Sequence, residues 1–214
     1  MAILRICEIF KSIQGESSWA GLPCVFVRLA GCPLDCRWCD TAYAKQGGSD
    51  LSLESILAQV AAQGPGLVEV TGGEPMCQAG APALIAALCR AGRTVLVETN
   101  GCEDISGLDQ RAHIIMDIKC PSSGMSQRTR WENLAALKPQ DEVKLVLADR
   151  GDYEYARDII QTHGLAQRCG VLLSTVHGQL EPRLAVEWLL ADQLPVRFQL
   201  QMHKYIWPPD TRGV

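Results

Sequence analysis

The sequence of 214 residues has no run of about 20 apolar residues, so nothing in it reads as a membrane-spanning helix. Its opening, MAILRICEIFK, is interrupted by Arg5 and Glu8, which argues against a secretory leader. There is no basic stretch, and the formal net charge is −4. A protein that grips nucleic acid by its phosphates ordinarily carries a basic stripe, so a small molecule is the better expected partner. Internal repeats, low-complexity segments and linker-like stretches are also missing, which predicts one domain over 1–214. These lacks together predict a cytoplasmic protein that contacts neither membrane nor nucleic acid.

One lack is more pointed. Residues 31–41 read GCPLDCRWCDT, with Cys32, Cys36 and Cys39 inside eight positions, and no HxxxH or later CxxC completes a set of four. A closed structural zinc site takes four ligands, usually as two CxxC-type pairs. Three thiolates on one loop instead suit a 4Fe–4S cluster with three irons anchored and one open to a ligand. The chain has ten cysteines, which are expected to be reduced thiols in a protein without an export signal. Cys7, Cys24, Cys89 and Cys169 fall in apolar strand or helix patterns, where a free thiol packs as a small hydrophobe. Cys77, Cys102 and Cys120 fall in loops, at spacings that match no metal site.

Short β-branched runs at 24–30, 67–71, 94–98, 113–118, 143–147, 170–174 and 196–202 predict buried strands. Amphipathic stretches at 52–63, 81–91, 129–137, 152–163 and 181–191 predict helices between them. Ser52 is placed to cap the first, Gly64-Pro65 to stop it, and Pro82 and Pro182 to open two others. Alternation of this kind means a mainly parallel α/β sheet, open or curled as a barrel, with its working face at the C-terminal strand ends. After successive strands come GCPLDCRWCDT, GGEP, TNG, DIK and STVHG, so nearly every unusual stretch falls on that one face.

The C-x3-C-x2-C spacing, with Trp38 before the last cysteine and Gly72-Gly73-Glu74-Pro75 one strand later, resembles the radical S-adenosylmethionine superfamily. That resemblance implies a shortened, partly open barrel. It also implies S-adenosylmethionine on the open iron, whose one-electron cleavage yields a hydrogen-abstracting radical. More closely, FKSIQGES, FVRLAGCPLDCRWCDT, VTGGEP, VETNG, MDIKCPSSG and LQMHKYIW resemble the subfamily of 7-carboxy-7-deazaguanine synthases over residues 10–207. What the resemblance implies is ring contraction of 6-carboxy-5,6,7,8-tetrahydropterin with loss of ammonia, on the route to queuosine-type 7-deazapurines. It further implies a magnesium ion, a flavodoxin-like one-electron donor and a homodimer.

Site residues follow from the same resemblance. Cys32, Cys36 and Cys39 would hold the cluster, and the hydroxyl of Thr41 would ligate magnesium, a hard ion that favours oxygen. Trp38, Gly73, Asp117, Ile118, Lys119, Ser174, Thr175, Val176 and His177 would contact S-adenosylmethionine. The chain has Asp117-Ile118-Lys119 and Ser174-Thr175 where the family often has SPK and QP, a change that backbone contacts would survive. An N-terminal segment of Ile13, Gln14, Gly15 and Glu16 would meet the pterin together with Arg28, Thr71 and His203. A guanidinium pairs bidentately with a carboxylate, which suits Arg28 to the pterin's acid group. Lys204 is expected at the pocket beside His203, Asp40 to shape the cysteine loop, His113 to be structural, and His163 to sit at a helix C-terminus. Two alternatives stand beside this reading: an activating enzyme for a glycyl-radical partner, and a non-enzymatic iron–sulfur or zinc regulator. The short extension after Trp207 differs from that of related chains.

Overall fold

A computed structural model describes residues 2–214. In chain order the strands are β1 (Ile3–Ile13), β2 (Pro23–Leu29), β3 (Ser49–Ser52), β4 (Leu67–Gly72), β5 (Thr94–Thr99), β6 (His113–Asp117), β7 (Glu142–Leu147), β8 (Gly170–Thr175) and β9 (Arg197–Phe198). The helices are α1 (Leu53–Ala62), α2 (Ala81–Arg90), α3 (Arg150–Thr162), α4 (Pro182–Ala191) and α5 (His203–Ile206). They build one nine-stranded sheet in the order β3-β1-β2-β4-β5-β6-β7-β8-β9. From β2 to β9 every neighbouring pair is parallel, while β1 runs antiparallel to β2 and to β3. β3 and β9 stay at opposite edges, so the curved sheet is a partly open α/β barrel, as the family resemblance implied.

Alternation along the strands gives the sheet two unlike faces. Val25, Val27, Val68, Val70, Val95, Val97, Val143 and Leu145 point outward and pack under the helices, with Leu84, Ile85 and Leu88 of α2 fully buried among them. Inward, at the N-terminal end, Cys24, Phe26, Leu67, Leu96 and Ile115 form an apolar plug with Phe10 and Trp19. Phe10 and Phe26 stack there at 5.0 Å between ring centres. Above the plug the same inward rows turn polar, and Arg28 stands level with Thr71, and Asp117 with Lys144.

Helix boundaries follow from local chemistry. The Ser52 hydroxyl accepts from the Ser55 amide at 3.2 Å and opens α1, and Gly64 leaves it with φ +99°. Pro82 sits in the first turn of α2, where a missing N–H costs little. α3 starts two residues before the predicted 152, because the Asp149 carboxylate caps it through the Asp152 amide.

Several expectations are corrected. Residues 129–137 hold only a short 3₁₀ segment, Trp131–Ala135, because buried Asn133 turns its amide to the carbonyls of Gly101 and Glu103. The last run, 196–202, contributes two strand residues. After Gln199 donates to Leu173, the chain leaves the sheet and Met202 N–H bonds Gly15 O at 2.9 Å. His203 and Lys204 therefore lie on α5, not at a strand end. β1 and β3 fall outside the predicted runs. Arg5, Glu8 and Lys11 break the apolar pattern of β1, and a bulge between Ile6 and Glu8 shifts its register. Cys24, Cys89, Cys120 and Cys169 are buried, whereas Cys7 is half-buried. His163 ends α3 with its backbone N–H, and its ring stacks on Trp131 at 4.7 Å.

Candidate active site

The cysteine loop docks on the end of β4 because glycine stands there. A methyl group at Gly73 would collide with Gly31 O and lie 2.8 Å from Cys32 Cβ, and one at Gly72 would strike Leu29 O. Side-chain-free backbone lets the two segments touch, and Glu74 N–H bonds Gly31 O at 2.8 Å. The Glu74 carboxylate then ties its own turn to the end of β5. It accepts from Met76 N–H at 2.9 Å, Thr99 Oγ1–H at 2.8 Å and Asn100 N–H at 2.6 Å. Burial pushes its pKa up to about 7 against those donors. Asn100 in turn brings its side-chain amide 3.7 Å from Cys32 Sγ. The GGEP and TNG stretches thus form one brace behind the first cysteine.

A single cavity of about 620 Å³ opens at the C-terminal strand ends. Cys32, Cys36 and Cys39 border it with Trp38, Gly73 and Thr41. Ile13, Gln14, Gly15 and Glu16 border it too, as do Arg28, Thr71 and His203. Asp117, Lys119, Val176 and His177 complete the predicted set that the fold gathers there. Three predicted contacts do not line it. Ile118 is packed in the outer core, and Thr175 falls on the same outward row as Leu173. Ser174 stands level with cavity-lining Val146 but is itself buried, its hydroxyl without a hydrogen-bond partner among the described residues.

Among the described residues, no three His, Cys, Asp or Glu side chains converge tightly enough to chelate one ion. Thiols that each bind a different iron of a cluster need not converge so. The wall beside them also suits an adenosyl-type ligand carrying charge. Lys119 donates to Asp117 Oδ2 at 2.8 Å, while Asp117 Oδ1 is buried without a hydrogen-bond partner among the described residues. Burial works against the Lys119 ammonium, but Asp117 and Cys36 outweigh it and raise its pKa. Burial raises the Cys32 and Cys36 thiols, and Lys119 opposes that rise at both. The residues therefore fit a cluster and its ligand.

The opposite end is a charged floor. Arg28, with 15% of its side chain exposed, gives Nε to Glu8 Oε1 at 2.8 Å, and Tyr43 O–H donates to the same oxygen at 2.7 Å. Gln14 donates to buried Glu69, and Thr71 donates to Glu98 at 3.3 Å. Glu16 accepts from both Lys144 and Gln201. The His203 ring lies against Gly15, where a methyl would collide with it, and burial lowers its pKa despite nearby Glu16. Thr41 donates to Asp40 at 3.0 Å, and Lys204 bonds the other Asp40 oxygen at 2.8 Å. Asp40 thus shapes the loop, as expected. Residues 209–214 fold over the mouth, and the Arg212 guanidinium lies 4.1 Å above the Tyr43 ring.

Sequence reasoning misses Glu8, Tyr43, Glu69, Glu98, Lys144 and Gln201, all of which touch this floor. The usable signal is a charge inside an apolar strand run, as in LVEVT, TVLVE and VKLVL.

Residues 27–126 match the model of the radical SAM superfamily. A 7-carboxy-7-deazaguanine synthase of Chlorobaculum tepidum is 50% identical over 216 residues, covering 100% of this chain and 98% of that protein. One of Koribacter versatilis is 42% identical over 226 residues, covering 99% and 100%. The crystal structure of QueE from Escherichia coli superposes with TM-score 0.77 at 24% identity, over 94% of this chain and 95% of that one. Streptococcus suis SuiB bound to S-adenosylmethionine shares the fold more distantly, with TM-score 0.54 at 13% identity over 79% of this chain and 45% of that one. With full-length relatives at this identity and the cysteine loop set in the matching fold, the chain belongs to the 7-carboxy-7-deazaguanine synthase family of radical SAM enzymes.

Proposed function

We propose that this chain contracts 6-carboxy-5,6,7,8-tetrahydropterin to 7-carboxy-7-deazaguanine with release of ammonia. The observation that carries it is one cavity with three thiols at one end and Arg28, Glu16 and His203 at the other. When bound, the cluster and S-adenosylmethionine supply a radical able to take hydrogen from carbon.

The chain's own residues do the holding. Cys32, Cys36 and Cys39 anchor the cluster. Trp38, Gly73, Lys119, Val176 and His177 flank its ligand, with backbone at Ile118, Ser174 and Thr175, and Asp117 Oδ1 is free to meet a donor. Arg28 keeps its Nη edge for the pterin carboxylate while Glu8 holds Nε. Glu16 accepts from the pterin's N–H edge with lone pairs that Lys144 and Gln201 leave over. Ile13, Gln14 and Gly15 present backbone, Thr71 a hydroxyl, and His203 a ring kept neutral by burial. Thr41 offers its oxygen to magnesium, completed by substrate and water.

The same reading makes the chain a single cytoplasmic domain with a substrate-binding N-terminal segment and a short C-terminal extension. It takes electrons from a flavodoxin-like donor and pairs as a homodimer, for which exposed Leu200, Met202, Tyr205 and Ile206 offer an apolar face. Among the described residues no helix is long and apolar enough to cross a membrane.

The test is anaerobic incubation of reconstituted protein with reductant, S-adenosylmethionine, magnesium and the carboxypterin. A product with the mass of 7-carboxy-7-deazaguanine is expected, and unconsumed pterin beside an intact cluster would overturn the reading. Thr41→Ala should keep its cluster but lose most of the magnesium response of turnover; a retained response would free Thr41 from the metal.

A further inference from the structure

Beneath the pterin end lies a lysine that no role above employs as more than a neighbour. Lys144 stands on β7 in the run EVKLVL, on a strand buried from both sides, where an apolar residue is the rule. Its side chain is 6% exposed, and its ammonium meets three carboxylates from three separate segments. It bonds Glu16 Oε2 from the N-terminal segment and Glu98 Oε1 from β5, and lies 3.9 Å from Asp117 Oδ2 of β6. Burying such a cation is costly unless it is paired, and three acids are brought to it.

The geometry of the two bonded acids is what matters. Gln201 takes the other oxygen of Glu16, and Thr71 takes the other oxygen of Glu98. Each carboxylate is thus pinned at both ends while it still borders the cavity. We propose that Lys144 is a positioning residue that clamps Glu16 and Glu98 into one acceptor surface for the N–H edge of the substrate. The proposal rests on the pterin reading above.

Electrostatics agrees with the geometry. Burial alone would raise the Glu98 pKa, but Lys144 and, more weakly, Lys119 bring it down to about 2. Next to it, burial and the Glu98 charge push Glu69 of β4 well above the usual carboxylate range. Asp117 at the end of β6, Lys119 just beyond it, Asp40 in the cysteine loop, and His203 on α5 face the same group from the remaining sides. Lys144 therefore decides which of the adjacent acids carries charge. Without it, Glu98 loses its main counter-ion and burial governs its proton.

The experiment compares cluster-loaded wild type, Lys144→Met and Lys144→Arg. In Lys144→Met the KM for the carboxypterin should rise about tenfold or more, and fall again as pH is raised, because an ionised Glu98 accepts better. Lys144→Arg, which keeps the charge, should recover much of that loss. Independently, carbon-13 NMR of glutamate-labelled protein, with the Glu98 signal assigned by its loss in Glu98→Gln, reads the titration itself. Wild type should show no Glu98 step, and Lys144→Met a new one between about pH 5 and 8. An unmoved KM, or the same Glu98 titration in both proteins, would overturn the clamp.

If Lys144→Met does not fold, the double variant Lys144→Met with Glu98→Gln removes one charge of each sign. Because Glu16 is still released, its KM should exceed that of Glu98→Gln alone, and an equal KM would show that Lys144 does not hold Glu16 for the substrate and would overturn the clamp. Should wild type fail to convert the pterin, the functional reading falls, and the NMR titration alone decides the clamp.

Discussion

A charge inside an apolar strand run demands a partner, and Arg28 is such a charge. Glu8 takes one edge of its guanidinium, while the residue borders the cavity. Arg28→Lys keeps the charge and gives up the planar fork. Pterin KM should rise by a factor corresponding to about 1–3 kcal/mol, with S-adenosylmethionine still cleaved; an unchanged KM would confine Arg28 to its pairing with Glu8. The same signal is present at Glu69, Glu98 and Lys144, but there the β-branched neighbours dominate and only a strand is legible. Which charge meets which depends on register between strands far apart in sequence, and one sequence does not contain that.

Glu74 gives a prediction of the opposite kind, in stability. Its pKa rises from an ordinary 4.5 to about 7 on folding, chiefly through burial. The folded state then binds more protons than the unfolded one between these values. The stability Glu74 contributes is full below pH 4.5 and lost as pH rises through about 7. Measured by denaturation of cluster-free protein, the gap between wild type and Glu74→Gln should change by about 3 kcal/mol across that window. A gap that stays constant with pH would mean that Glu74 is ionised throughout.

Among the elements, the meeting of the β4 end with the cysteine loop is the joint on which the site depends. Gly73→Ala places a methyl group against Gly31 O and Cys32 Cβ, and both belong to a loop that cannot retreat without moving the Cys32 thiol proposed to hold the cluster. Iron and sulfide content after reconstitution should fall sharply, while the melting temperature of the cluster-free protein shifts only a few degrees. Full cluster loading in Gly73→Ala would show that the loop tolerates a looser dock. GGEP is legible as a motif, and the structure adds the reason for its glycines: the approach they permit is of chain to chain. The helix predicted at 129–137 fails for a related cause, since Asn133 spends its amide on the TNG loop rather than on a helical surface. β1 escapes notice because a strand carrying Arg5, Glu8 and Lys11 lacks the apolar run by which buried strands are recognised. The 196–202 run misleads because its apolar residues are in part exposed, Leu200 and Met202 among them, and the chain there crosses to Gly15 instead of pairing.

Taken whole, the sheet brings two chemistries into one cavity. The cysteine loop follows β2, and Arg28 stands on that strand four residues before Cys32, so the thiol end and the guanidinium end of the cavity share one support. Strand order alone makes the common face legible, because every unusual loop follows a parallel strand. The tail is not legible: residues 209–214 close over the mouth through Arg212 on Tyr43, a contact between the last residues and the turn that follows the cysteine loop. If both ends of this cavity act on one substrate at once, hydrogen must pass from the pterin to the adenosyl radical. Turnover with pterin deuterated at its ring carbons, reading deuterium in the 5′-deoxyadenosine released, tests this most directly. Deuterium is expected in that product in the complete reaction, and should be lost with Arg28→Ala at subsaturating pterin. Unlabelled 5′-deoxyadenosine, formed at the same rate with and without pterin, would show that the two ends do not share a substrate.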